Sequence, residues 1–226
     1  MVIRTVVGWI LFAFLRHPLG PWVACGALAW TPLLARLGPL DVRSAGPRAW
    51  EIAGTWAFPL GLLGVVWALS VLQRGRGFLE RLAPTRAVAG GVASCAALAL
   101  LLQTLLASGA WLTGALEGRP PTLEPWTVGA LVLADLHLAA WATLLLRLEM
   151  EGMTRLVFFW GIGIVFPVLS AAGTLGVPGR LLQPLTDASL HLGTAATRAP
   201  SALFLGAAPV AALLLANVLP TRWFRT

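Results

Sequence analysis

The sequence predicts an all-α membrane protein with six transmembrane helices, and both its composition and the length of its apolar segments indicate this. Of the 226 residues, 58% are hydrophobic and 11% are charged, whereas a soluble globular domain carries about 25% charged residues. Apolar surface need not be buried inside the protein when the solvent is lipid. No segment is long and polar enough to form a soluble domain, so we treat residues 1–226 as a single transmembrane domain.

Six apolar stretches reach or approach the length of about 20 residues that a transmembrane helix needs. The first stretch is short and contains Pro21 and Pro32, and only the fourth contains a formal charge, at Asp135. The six predicted spans are residues 21–35, 52–72, 88–112, 127–146, 156–175 and 201–219.

The segment before the first span, residues 1–17, is apolar with Arg4 near one end and Arg16 at the other. This pattern predicts a helix that lies in the inner membrane interface, with Trp9 as an interfacial anchor. The alternative is one long first span that is kinked between Pro18 and Pro21. We favour the interfacial helix.

The longest connection between spans is the outer segment 176–200, which is bounded by Pro178 and Pro200. Its middle, residues 181–192, is half apolar. We therefore expect short helices that enter the membrane partway from outside, which makes this a re-entrant segment before the last helix. The inner loop 73–87 is short and polar by comparison.

The distribution of arginine predicts that both termini are cytoplasmic, because positive charges concentrate on the cytoplasmic side of membrane proteins. With that orientation, ten arginines lie inside and six lie outside. The inner ones are Arg4, Arg16, Arg74, Arg76, Arg81, Arg86, Arg147, Arg155, Arg222 and Arg225, and the outer ones are Arg36, Arg43, Arg48, Arg119, Arg180 and Arg198.

The residue inventory excludes several chemistries. All 16 basic residues are arginine, so the chain has no lysine for a P-loop or for a Schiff base. Cys25 and Cys95 are isolated in apolar stretches and give neither a disulfide framework nor metal-ligand spacing. The arginines lie between the apolar stretches. The net charge of +7 therefore indicates positively charged loop ends rather than a surface that binds nucleic acid. We expect no metal and no cofactor in this chain.

Asp135 and His137 are the candidate polar residues within a span. At 1.5 Å per residue they lie about 12 Å and 15 Å from the start of the fourth span, near the middle of the bilayer core. A carboxylate at that depth marks a substrate path or a subunit interface, or else it is a protonated or hydrogen-bonded group that fixes helix packing. The two residues are about 200° apart around a helix, so they cannot both face one cavity.

No catalytic residue is predicted. An intramembrane aspartyl protease needs two deep carboxylates, and only Asp135 is available. Ser108 lies in a string of small residues of the kind that is common where helices pack closely. Other small residues on the spans, including Gly61, Gly64 and Gly91, also predict close helix contacts.

The segment 73–86 leads from the second span through Leu79, Glu80, Pro84 and Arg86 directly into the third span. This arrangement resembles the loop between the second and third helices of ABC-2-type permeases, the membrane subunits of one class of ATP-binding cassette (ABC) transporter. Residues 14–18 resemble that family's N-terminal interfacial helix, which ends in a basic residue and a proline. Residues 182–191 resemble its external re-entrant segment, and six spans with both ends inside is its topology.

The resemblance implies a multi-pass permease subunit in a bacterial cytoplasmic (inner) membrane. It would pair with a second permease copy or a paralogue and move an amphipathic or lipid-like substrate. The family's loop carries a coupling helix that docks into a separate ABC ATPase subunit, which binds the ATP and Mg. The resemblance places that contact at Phe78, Leu79, Glu80 and Arg81.

Two other functions remain open from the residues alone. The chain could be a structural or anchoring subunit of a larger membrane complex of respiratory or photosynthetic type. A membrane-embedded enzyme is the third possibility, although the sequence offers no nucleophile or metal site for one.

Overall fold

The computed structural model describes residues 2–37, 45–79, 81–118, 125–147, 206–207, 209–215 and 218. These residues form α-helices joined by short turns, and none of them is in a strand. The expected all-α class is therefore confirmed. The predicted fifth span and the re-entrant segment 176–200 lie outside the described residues, and so do residues 201–205, 208, 216–217 and 219 of the sixth span.

The first two helices, α1 (Val2–Arg16) and α2 (Gly20–Leu37), meet at an angle of 86°. Pro18 lies in the break, where its missing N–H removes one helical hydrogen bond and its ring favours a kink or a break. The turn is closed by the Gly20 N–H, which donates to the His17 carbonyl. A Cβ at Gly20 would overlap the Phe14 carbonyl oxygen, so only glycine fits this corner. The two segments are therefore two helices with a sharp bend between them, which fits both an interfacial helix and a first span that is broken at Pro18.

Three further long helices contain predicted spans: α3 (Ala45–Arg74), α5 (Pro84–Leu116) and α6 (Pro125–Arg147). A helix of four residues, α4 (Arg76–Leu79), lies between α3 and α5. Predicted spans 52–72, 88–112 and 127–146 lie within them, and span 21–35 lies within α2. Pro32 and Pro59 are inside α2 and α3, which continue through them.

The loop predicted at residues 73–87 is mostly helical, and its boundaries were wrong. α3 runs to Arg74, α4 follows, and α5 already begins at Pro84. Proline suits the first turn of a helix because its fixed φ is helical and its missing N–H would have no partner there. Among the described residues of this segment, only Gly75 and residues 81–83 lie outside the helices.

One described helix, α5, is long and apolar enough to cross a membrane. The bent pair α1–α2 also reaches this length and apolar composition if its two helices are counted together as one span. Shorter apolar helices cover Pro59–Arg74 and Val132–Leu144. Six transmembrane spans are not confirmed by the described residues.

α5 contacts each of α1, α2, α3 and α6. Gly64 of α3 lies against Ala99, and on the other side Thr143 of α6 lies against Gly91. The end of the bundle where α3 ends and α5 begins is called here the Arg-rich end, because Arg74, Arg81 and Arg86 are all exposed there.

Small residues on α3 and α5 set how closely the helices approach. A Cβ on Gly64 would lie 2.8 Å from the Ala99 backbone, and one on Gly91 would lie 2.9 Å from the Thr143 methyl group. A Cβ on Gly109 would overlap the Leu28 carbonyl oxygen of α2. The close helix contacts predicted from the glycines are therefore confirmed at Gly64 and Gly91.

α1 packs across the Arg-rich end of the bundle. Its residues Val6, Ile10 and Phe14 are fully buried in the main hydrophobic core. The Phe14 ring lies edge-on to Trp67 of α3, with 5.1 Å between ring centroids. The opposite face of α1, with Arg4 and Arg16, is exposed.

The close approach of α3 to α5 gives a test. Gly64→Ala places a methyl group against backbone atoms that cannot move aside, and we expect a loss of about 1–3 kcal/mol of stability. Gly26→Ala is the matched control, because nothing lies within 4 Å of a Cβ there and alanine favours the helix by about 0.5–1 kcal/mol. Unfolding of the purified protein in mixed micelles measures both. Equal stabilities of the two variants would contradict the packing described here.

Candidate functional site

A buried polar junction joins α3, α5 and α6. The Gln103 side-chain amide of α5 donates from Nε2 to Asp135 Oδ1 of α6 over 3.0 Å and to the Ala57 carbonyl oxygen of α3 over 3.1 Å. Asp135 is 1% exposed and Gln103 is 6% exposed. One carboxamide therefore connects three helices inside an otherwise apolar core.

Gly61 provides the space for this junction. A Cβ at Gly61 would overlap Gln103 Nε2 and would lie 2.8 Å from Asp135 Oδ1. The absence of a side chain at this position lets the amide and the carboxylate meet between α3 and α6. The glycine that the sequence marked only as a helix contact is thus part of the polar site.

Sequence reasoning identified Asp135 and missed Gln103. The sequence did contain an indication that Gln103 is part of the site. Gln103 lies nine residues from the outer end of the predicted span 88–112. Asp135 and Gly61 lie at similar distances, about 12–14 Å, from the outer ends of their own predicted spans. Polar residues at equal depth on neighbouring helices are candidates for a hydrogen bond between helices.

His137 is not part of this junction. It is 3% exposed, and its Nε2 accepts a hydrogen bond from the Trp141 indole N–H over 3.1 Å. Trp141 is one turn further along α6 and is 43% exposed. The structure therefore separates Asp135 from His137, as their angular spacing predicted, and places His137 against its own helix neighbour.

The four residues assigned to an ATPase contact have different environments. Phe78 of α4 is 46% exposed and Arg81 is exposed, whereas Leu79 is fully buried in the main core. Glu80 lies outside the described residues. Leu79 therefore fixes α4 to the bundle, and Phe78 and Arg81 face outward beside it.

α1 and α4 are adjacent at the Arg-rich end. The Trp9 ring of α1 covers Gly75, the residue between α3 and α4, where a Cβ would overlap the ring. Leu79 and the buried α1 residues Val6, Ile10 and Phe14 belong to the same hydrophobic core. Leu79 therefore belongs to a core that α1, α3 and α5 share.

Within the part of the chain that the structure describes, no group of three or more His, Cys, Asp or Glu side chains could hold a metal ion. Cys25 is exposed and Cys95 is buried, and both are free thiols. The arrangement that the described residues do provide is one carboxyl group and one carboxamide held together away from water.

The hydrogen bond between Gln103 and Asp135 can be measured by a double-mutant cycle. We expect Gln103→Leu and Asp135→Leu each to cost about 1–3 kcal/mol, because each leaves a buried partner without its bond. The coupling free energy should be about 0.5–1.7 kcal/mol, the range for hydrogen bonds between membrane helices. Gln103→Leu combined with Thr143→Val is the control pair and should be additive. Additive effects at Gln103 and Asp135 would contradict the bond.

No family model matches the chain, and neither does any curated protein or solved structure.

Proposed function

We propose that this chain is the membrane-spanning permease subunit of an ABC transporter, which moves an amphipathic or lipid-like substrate with ATP hydrolysed by a separate subunit. The observation that carries the proposal is the position of α4 and the burial of its side chains. α4 is a short helix between two long ones at the Arg-rich end, with a buried Leu79 and an exposed Phe78.

Support for a membrane location comes from the outside of the bundle. Large apolar side chains remain exposed on every long described helix, and such surface is costly in water. Among them are Trp22, Leu28, Leu33, Trp56, Leu63, Trp111, Leu112 and Trp141. Lipid would cover these side chains at no cost.

Buried hydroxyl groups fit the same environment. Ser94, Thr113 and Thr143 each donate to the carbonyl oxygen four residues earlier in their own helix, at 2.7–2.9 Å. Lipid offers no hydrogen-bond partner, so polar groups in spanning helices must be satisfied internally. These three hydroxyls are therefore satisfied within their own helices.

The geometry of α1 supports an interfacial role. If α2 crosses the bilayer, the angle of 86° between α1 and α2 places α1 nearly parallel to the membrane plane. Its exposed face carries Arg4, Arg16 and Phe12, and the Arg16 guanidinium lies 4.6 Å from the Phe12 ring centroid. Arginine and an aromatic ring are suited to a headgroup layer.

The arrangement of α4 suggests how ATP binding would act on the bundle. Phe78 would enter a groove on the ATPase, and Arg81 and Glu80 would contact its rim. Leu79 would transmit the movement, because it is packed in the same core as α1, α3 and α5. α5 continues without a break from Pro84 to Leu116 and would transmit the displacement along the bundle.

Changes at this contact should weaken ATPase binding. We expect Phe78→Ala and Glu80→Arg each to lower the affinity for the ATPase by about tenfold, which corresponds to a loss of about 1.4 kcal/mol, and to reduce ATP-dependent transport. Co-purification with a soluble chain that contains the G-x-x-x-x-G-K-[ST] motif measures the first effect.

Leu116→Ala is the matched control for this experiment. Leu116 is 73% exposed but lies at the opposite end of α5, so its loss should leave ATPase binding unchanged. If Phe78→Ala and Glu80→Arg leave assembly and transport intact, the coupling role is wrong. Stable association with redox subunits and indifference to ATP would instead favour the structural or anchoring subunit.

The orientation of α5 provides a separate test. In a Cys25→Ser background, we expect Arg86→Cys to react with an impermeant thiol reagent only from the cytoplasmic side and Leu116→Cys only from outside. Cys95 is buried and should stay unlabelled. Reaction of both introduced cysteines from the same side, or release of the protein from membranes by alkaline carbonate, would contradict a spanning α5.

A further inference from the structure

Two buried side-chain atoms of the described residues have no hydrogen-bond partner: Gln103 Oε1 and Asp135 Oδ2. They belong to two side chains that are already joined by a bond from Nε2 to Oδ1. Unsatisfied buried polar atoms are rare in folded proteins and need a cause. Two such atoms on one bonded pair indicate a common cause.

The chemistry of the two groups identifies what is missing. An amide oxygen and an ionised carboxylate oxygen are both acceptors, so neither can satisfy the other. Both hydrogens of Gln103 Nε2 are already used, one on Asp135 and one on the Ala57 carbonyl. A single hydrogen placed on Asp135 Oδ2 turns that oxygen into a donor and supplies the partner that Gln103 Oε1 lacks.

We propose that Asp135 and Gln103 form a proton-binding site at the junction of α3, α5 and α6. The bound proton forms an O–H bond on Asp135 Oδ2, which donates to Gln103 Oε1. Together with the Nε2 bond to Oδ1, this closes a ring of two antiparallel hydrogen bonds between a carboxylic acid and a carboxamide. Every polar atom of both side chains then has a partner.

The charged and titratable groups of the neighbouring helices lie away from this site. Arg74 of α3 and Arg86 of α5 are exposed at the Arg-rich end, and Cys95 of α5 lies beside Thr143. On α6 itself, His137 is bonded to Trp141. Among the described residues, no cation is hydrogen-bonded to Asp135 that could balance a negative charge there.

A metal cation fits the two free oxygens less well than a proton does. Hard cations such as calcium take six to eight oxygen ligands. The junction offers only Asp135 Oδ2 and Gln103 Oε1 as free acceptors among the described residues. A proton needs one donor oxygen and one acceptor oxygen, and the two free oxygens of the junction match that requirement.

The site links proton binding to helix packing. The acid–amide pair exists only while α6 is packed against α5, so separation of these helices removes one of the proton's two oxygens. By thermodynamic linkage, loss of the proton must weaken the packing by the same free energy. The inference concerns the junction alone and holds for a permease and for an anchoring subunit alike.

Infrared spectroscopy of the full-length protein in lipid bilayers tests the proposal directly. The chain contains three aspartates, Asp41, Asp135 and Asp187, so aspartate labelled with ¹³C at the side-chain carboxyl reports on few groups. At neutral pH we expect a protonated carboxylic-acid carbonyl band that shifts with the label. This band should be absent from Asp135→Asn.

Two variants and one control test whether the acid band comes from the pair of Asp135 and Gln103. Asp135→Asn should fold and lose less thermal stability than Asp135→Leu, because its carboxamide reproduces both bonds of the protonated acid and leaves only its second N–H without an acceptor. Gln103→Leu should retain the acid band but shift it to higher frequency, since the O–H then lacks its acceptor. Thr143→Val changes a buried hydroxyl of α6 outside the junction and should leave the band where it is.

Two results would overturn the proposal. The first is a native protein in which the labelled aspartates contribute only carboxylate bands at neutral pH. The second is an Asp135→Asn variant that no longer folds, because the site then requires an ionised carboxylate rather than the acid that asparagine imitates.

Discussion

The bond between Gln103 and Asp135 constrains the rest of this bundle. It connects α5 to α6, while the same amide donates to the α3 backbone. Apolar burial has no preferred direction, whereas a buried carboxyl group and carboxamide must face each other to form their hydrogen bond. Their pairing therefore fixes the rotation and register of three helices, and Gly61 is required because any side chain there would occupy the same space.

α5 connects this junction with the Arg-rich end, where the proposed ATPase would bind. Glycine and alanine along α5 allow its neighbours to approach closely, and α1 and α4 pack near its first turns through Val6 and Leu79. In the proposed permease, a movement imposed on α4 would reach a helix that also carries Gln103. The anchoring alternative uses the same rigid helix to hold a neighbouring subunit instead.

Much of the fold could be predicted from the sequence, because long apolar stretches fix where helices form. The start of α5 was misplaced by four residues, since Pro84 and Arg86 were taken as loop although proline suits the first turn of a helix. Asp135 was conspicuous as a charge in an apolar span. Gln103 was missed because an uncharged amide hardly lowers mean hydropathy, and its role depends on which helix faces it. That pairing is a property of the packed bundle.

The most direct test of this account is the distance between Gln103 and Asp135 in a lipid bilayer. Solid-state NMR dephasing between ¹⁵Nε2-labelled glutamine and ¹³Cγ-labelled aspartate should give a nitrogen–carbon distance of about 4 Å, as expected for a direct hydrogen bond. The signal should disappear in Gln103→Leu. Absence of this dephasing in the native protein would contradict the polar junction and the arrangement of α3, α5 and α6 around it.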